Sequence, residues 1–311
     1  MEKRILKPYH GILFFVIAIL ALIFPGAIMQ AYWGMAGLAV SEIMYLVISV
    51  VYVLILRGDL KEVFPLKKIK VTVVIGTILL WVGTYPVIML LSMIITALFP
   101  EQILATSQGL NSVFSQVSVP MQIIIVALLP AICEEAMHRG VILNSFKNIR
   151  SKWIVIIATG VLFGINHLSI WRFLPTAFLG IALTYVVYET GNIFYSVLFH
   201  FLNNAFSTLA TAAGDSSAVS VETSLEIFHS APIMCVGIGL YMIFSAIAPF
   251  LIYTAAYLVR LGKSSEEKVT YWPERHKGWM IGILIGLTVL CVAGGFMLTL
   301  LGACMGSASM L

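Results

Sequence analysis

An all-α bundle of eight to nine membrane-crossing helices is the fold this sequence predicts, and three observations carry the prediction. The 311 residues are 60% hydrophobic and only 10% charged, where soluble domains carry about 25% charged residues. Mean hydropathy is +1.03. Apolar runs long enough to cross a hydrocarbon core of about 30 Å, roughly 20 residues each, recur from one end of the chain to the other. With so little polar surface, the chain must be solvated by lipid.

The spans read at 11–29, 36–56, 71–98, 119–145, 153–169, 173–190, 193–212, 231–259 and 278–303, with boundaries soft enough for eight rather than nine. They fall into N-terminal spans within 1–118, a motif-bearing core within 119–212, and C-terminal spans within 213–311. The basic start of the chain, followed by the apolar run from Gly11 to Phe24, imitates a secretory signal. No small-x-small cleavage site follows, so an uncleaved first span is expected.

Basic residues stay on the cytoplasmic side of a membrane, and their distribution sets orientation. With the N-terminus inside, Lys3, Arg4 and Lys7 precede the first span; Arg57, Lys61, Lys67, Lys68 and Lys70 follow the second. Arg139, Lys147, Arg150 and Lys152 lie at and after the end of the fourth, and Arg260, Lys263, Lys268, Arg275 and Lys277 follow the eighth. Of all 18 Lys and Arg residues, only Arg172 falls on the other side. The outer connectors 99–118 and 213–230 hold no Lys or Arg and read as solvated loops. The net charge of +4 is therefore an orientation signal, not a nucleic-acid footprint. Cys133, Cys235, Cys291 and Cys304 are far apart, form no CxxC pair and read as packing residues.

Charged residues within a span are costly and mark function by default. The fourth span reads MQIIIVALLPAICEEAMHRGVIL and carries Glu134, Glu135, His138 and Arg139. Glu135 and Arg139, four residues apart with the acid first, are spaced for an ion pair. Glu134, rotated by about 100°, is left to face something else; an ion pair with His138 is the plainer alternative. Pro130 lacks an N–H and can open the helix beside it. Two more polar islands follow, His167 in VLFGINHLS and His200 with Asn204 in SVLFHFLNNAFS. Counted from the cytoplasmic ends, Glu134 lies about 16 Å deep, His167 about 21 Å and His200 about 10 Å. His200 joins the others only if the turn at Thr190–Asn192 is sunk inside the bundle.

Taken in order, these residues spell EExxxR (Glu134, Glu135, Arg139), FxxxH (Phe163, His167) and HxxxN (His200, Asn204). Three such motifs on separate spans resemble the CAAX-protease and bacteriocin-processing family, relatives of the Ras-converting CAAX endopeptidase. The resemblance covers roughly 119–210. It implies an intramembrane endopeptidase acting on a membrane-associated protein or peptide, in a cavity open to the cytoplasm. By the same resemblance Glu134 activates water with help from His167, and His200 and Asn204 stabilise the oxyanion. Glu135 and Arg139 hold the site, with Phe163 beside them. The chemistry agrees: a carboxylate can take a proton from water, and imidazole and amide N–H groups suit a tetrahedral intermediate.

No cofactor is expected. The first rival is zinc bound by Glu134, His167 and His200, disfavoured because HExxH is absent and Asn204 is a poor zinc ligand. A proton-coupled transporter would show two related halves and broken helices; no repeat is visible. A non-catalytic scaffold or immunity protein is the third. Other polar residues rank lower: Glu42 reads as interfacial, Tyr32, Trp33 and Trp171 as an aromatic belt, and Glu189 as a cap of the sunken turn.

Overall fold

The computed structural model describes residues 4–114, 117–213, 221–262, 269–272 and 274–308, and every regular element among them is helical. Six stretches are long and apolar enough to cross a membrane: Pro8–Ile55, Val71–Leu98, Val119–Phe146, Ile170–Thr190, Ala231–Arg260 and Lys277–Ser307. Large apolar side chains such as Ile55, Val71 and Ile170 point outward, as they must on a surface wetted by lipid. This is a multi-pass membrane protein.

Pro8–Ile55 is not one straight rod. A 48-residue helix would run about 72 Å at 1.5 Å per residue, yet the Tyr52 hydroxyl donates to the His10 carbonyl at 2.9 Å. The chain doubles back at Gly34, whose φ of 53° is a backbone state open to glycine. The result is a hairpin whose first arm runs from α1 (Pro8–Ala21) into the start of α2 (Ala27–Ile55) and whose second arm is α2 beyond Gly34. Ser41 fastens it near the bend, donating to the Gly37 carbonyl and accepting from Gln30.

Next come the short α3 (Leu60–Val63), α4 (Val71–Leu98) and α5 (Pro100–Phe114). The central helices are α6 (Val119–Phe146), α7 (Lys152–Asn166) and α8 (Ile170–Thr190), then α9 (Ile193–Ala213). The chain closes with α10 (Val221–His229), α11 (Ala231–Arg260) and α12 (Lys277–Ala308). Two of the nine sequence-read spans fall outside the six stretches for physical reasons. α7 has 15 residues, and α9 carries His200, Asn203, Asn204 and several Ser and Thr residues that lower its hydropathy. The connectors expected as loops are corrected in part: 100–114 and 221–229 are helical and pack on each other, while 214–220 lies outside the described residues.

Two apolar clusters frame the interior. One joins Phe14, Tyr45, Met137 and Val141 from α1, α2 and α6. The other joins Phe163, Leu183, Phe199 and Val73 from α7, α8, α9 and α4. Glycine lets α7 and α8 touch: a Cβ on Gly180 would sit 2.7 Å from the Gly160 carbonyl oxygen. Such small-residue contacts are how membrane helices pack closely.

One end of the bundle is closed by the segment 57–70. Val63 is buried, Phe64 lies against Gly140, and Lys147 pairs with Glu62. Pro65 accepts from the Ile193 N–H at 2.9 Å, and Lys67 accepts from the Asn192 amide at 3.0 Å. The turn at Thr190–Asn192 is thus buried beneath a strap, as the depth count requires. Gly191 turns it with φ 59°, and the Asn192 side chain accepts from the Phe194 N–H, capping α9. Glu189 does more than cap a turn: its carboxylate takes a hydrogen bond from Lys152 at 3.0 Å.

Candidate active site

The helix that carries the two acids is irregular where it matters. In α6, wider π-helical turns at Ile123–Leu128 and Ala136–Ile142 flank an α-helical stretch, Leu129–Glu135. Such bulges collect at functional sites. Pro130 sits inside this stretch, and with no N–H it leaves the carbonyl four residues back without that partner. That carbonyl belongs to Val126, and the Asn204 amide donates to it at 3.2 Å. A missing hydrogen bond in one helix thereby docks another. An amide nitrogen has two N–H groups, so Asn204 keeps one to offer elsewhere.

Glu135 is the electrostatic keystone. Its Oε1 accepts from Arg139 Nη1 at 2.7 Å and from His200 Nδ1 at 3.0 Å, and all three residues are buried. Arg139 also donates from Nη2 to the Gly180 carbonyl at 2.8 Å, tying α6 to α8. The pair expected from spacing is therefore present, and it reaches a third helix through His200.

Phe163 is the packing hub. The imidazoles of His138, His167 and His200 meet its ring edge-on at 5.0, 5.1 and 5.6 Å. The Arg139 guanidinium lies over its face at 4.6 Å, a cation–π contact. One fully buried aromatic thus orders every imidazole near the acids.

Two of the three histidines share a pattern. His138 and His167 each set Nδ1 against the carbonyl four residues earlier, Glu134 at 3.1 Å and Phe163 at 3.0 Å. A carbonyl only accepts, so Nδ1 carries a proton, and in the neutral ring Nε2 keeps a lone pair. His138 Nε2 is buried with no partner among the described residues. His138 was weighed in the sequence only as a side-chain ion partner of Glu134; it bonds the backbone instead and packs in the site. Its signal was visible, a histidine one turn from an intramembrane acid.

Glu134 stays unclaimed. It is half-buried, and its Oε2 has no hydrogen-bond partner among the described residues. His200, Arg139 and Arg172 lie within electrostatic range of it. So does Glu42, a residue read from the sequence as interfacial. That reading is corrected: Glu42 is 6% exposed and Glu134 acts electrostatically on it, because α2 packs against α6. Tyr32 and Trp33 do lie exposed, and Trp171 packs against Phe99 at 4.5 Å.

The structure thus brings Glu135, Arg139, His200 and Phe163 into contact, sets His167 and His138 against the same ring, and docks Asn204 on α6. Residues 116–206 match the family model described as type II CAAX prenyl endopeptidase Rce1-like. Over this segment, less than half of the chain, the sequence is similar to that family. Every residue of the three motifs lies within the Rce1-like segment, and Glu42 lies outside it. No curated protein and no solved structure matches the chain.

Proposed function

We propose that this protein is an intramembrane endopeptidase that hydrolyses a peptide bond in a membrane-associated protein or peptide, using water activated by Glu134. The observation that carries the reading is the state of Glu134 within the Rce1-like segment: a carboxylate with a buried, unpartnered oxygen beside imidazoles held by Nδ1. A buried polar group without a partner is costly, and a bound substrate water would satisfy it. In the proposed reaction Glu134 takes a proton from that water while His167 Nε2 orients it. The resulting hydroxide attacks the scissile carbonyl. His200, held at Nδ1 by Glu135, and the remaining N–H of Asn204 stabilise the oxyanion. The proton on Glu134 then passes to the leaving amine. Peptides of the CAAX type are the substrate class that the family description favours.

Histidines with Nδ1 on a carbonyl are also the form in which imidazole binds metal, which keeps the zinc version, with Glu134, His167 and His200, as the second reading. Among the described residues no group of three or more His, Cys, Asp or Glu side chains is gathered closely enough to hold an ion. No step is therefore routed through one. The purified protein in detergent, incubated with a prenylated and non-prenylated peptide library with and without chelator, is expected to cleave peptide in both conditions and to carry less than stoichiometric metal. Chelator-sensitive cleavage with one bound zinc would transfer the mechanism to the second reading. Absence of cleavage across the library, with proton-coupled uptake or partner binding instead, would point to a transporter or a non-catalytic protein.

We further propose nine crossings, with the N-terminus inside: α1 and α2 cross separately, and the short α7 and polar α9 also span. The strap 57–70 and the 147–152 connector then lie in the cytoplasm, and Lys70 bonds the Gly262 carbonyl at the same end. The cavity is placed toward this face, so entry from it requires the strap to lift. Reporter fusions are expected to put 57–70, 146–152 and 260–277 inside and 99–118 and 213–230 outside. An external 260–277 loop would overturn the orientation.

A further inference from the structure

The side-chain amide of Asn204 can face two ways, and its neighbours admit only one. The Val126 carbonyl, left without its helical partner by Pro130, can only accept. Nδ2 of Asn204 must therefore face it, and it donates there at 3.2 Å. The Asn204 oxygen then points the other way, where Asn203 donates to it from Nδ2 at 3.2 Å. Both ends of one amide are thus held: Val126 on α6 takes an N–H, and Asn203 on α9 supplies one. Asn203 belongs to none of the three motifs, and the reaction above does not use it. With its N–H committed to Asn204, its own Oδ1 is buried with no hydrogen-bond partner among the described residues. An unsatisfied buried acceptor lowers stability, and an apolar side chain would fill the same place without that cost. Packing alone therefore does not account for an amide at this position.

We infer that Asn203 is a positioning residue of the reaction: its amide locks that of Asn204 in the orientation that presents the second Asn204 N–H to the oxyanion. Turning the Asn204 amide over would set its oxygen against the Val126 carbonyl and its N–H groups against the Asn203 N–H, acceptor on acceptor and donor on donor. Without the Asn203 amide, Asn204 is held at the Val126 end only, and its second N–H is no longer aimed. Oxyanion donors work by being fixed before charge develops. A loosened donor therefore slows the chemical step and leaves substrate binding as it was.

The inference rests on Asn204 being an oxyanion donor, and its test has one arm that does not. Asn203→Leu fills the space and Asn203→Ala empties it; both remove the donor. In the peptide assay each is expected to lose kcat by about 10²-fold, the effect of a misplaced catalytic group. KM should be unchanged, and Asn203→Leu should unfold no lower than wild type. Asn204→Ala itself should lose about 10²–10³-fold. Added to it, Asn203→Leu is expected to lower kcat no further, because it acts through a residue already removed. Wild-type kcat in both Asn203 variants overturns the inference. So does an equal further loss in the Asn204→Ala background, or a loss that follows the unfolding temperature. Hydrogen exchange of the Asn204 side-chain amide supplies the independent arm, followed by NMR with isotope-labelled asparagine and assigned by the signal that Asn204→Ala removes. Exchange is expected to be slow in wild type and to lose that protection in Asn203→Leu; equal rates in the two overturn the inference. If the wild type cleaves no peptide while exchange behaves as expected, the lock on Asn204 stands and it is the peptidase reading that fails.

Discussion

Glu134→Gln is expected to abolish peptide cleavage while leaving expression and thermal stability at the wild-type level or slightly above. The substitution keeps the shape of the side chain and its place in α6. It removes only the ability to take a proton. General-base catalysis contributes roughly 10²–10⁴-fold to rate, so any residual turnover should fall by at least that range. Stability should not fall, because the carboxylate has a buried oxygen that no described residue satisfies, and a charge within a span is costly. Glu134 is not part of the Glu135–Arg139–His200 cluster, so that cluster survives the change. Turnover by the purified protein, measured beside its unfolding temperature in detergent, checks both halves. Cleavage at the wild-type rate would leave neither version of the peptidase standing. Lost cleavage with lost stability would make Glu134 a structural residue.

The pairing of Glu135 with Arg139 was legible in the sequence because it follows from helical spacing. Glu135 precedes Arg139 by four residues, and the ion pair at 2.7 Å is the result. His200 as a second partner of Glu135 was not legible. It comes from α9, and a long-range contact of that kind leaves no periodic trace. The sunken turn at Thr190–Asn192 could be inferred from depth alone, but the strap that buries it could not, since Pro65 and Lys67 bind it through backbone carbonyls. Pro130 shows the same limit in another form. Its missing N–H could be read as an opening, whereas the docking of Asn204 on Val126 needed the neighbouring helix in place. Glu42 was read as interfacial from its place near the outer end of the second span; the packing of α2 on α6 that buries it needed the neighbouring helix in place.

Glu135→Gln should have the opposite signature to Glu134→Gln, a large loss of stability with activity lost as a consequence. Arg139 is 1% exposed, and its Nη1 donates to the Glu135 carboxylate at 2.7 Å. Without that carboxylate the guanidinium keeps the Gly180 carbonyl as an acceptor, but its charge is unbalanced inside the bundle. Breaking a buried pair by removing one partner typically costs about 3–5 kcal/mol. His200 loses its anchor at the same time, since its Nδ1 bonds the same oxygen. The unfolding midpoint of Glu135→Gln should therefore drop well below that of wild type. Removing both charges separates the causes. Replacing a whole buried ion pair with apolar residues of similar volume is often near neutral, so Glu135→Leu with Arg139→Met should recover much of the stability lost by Glu135→Leu alone. The double variant should remain inactive, because His200 is still unanchored. If the double variant is no more stable than the single, the loss belongs to His200 or to packing around Phe163. If Glu135→Gln unfolds at the wild-type temperature, the Glu135–Arg139 contact does not hold the site together.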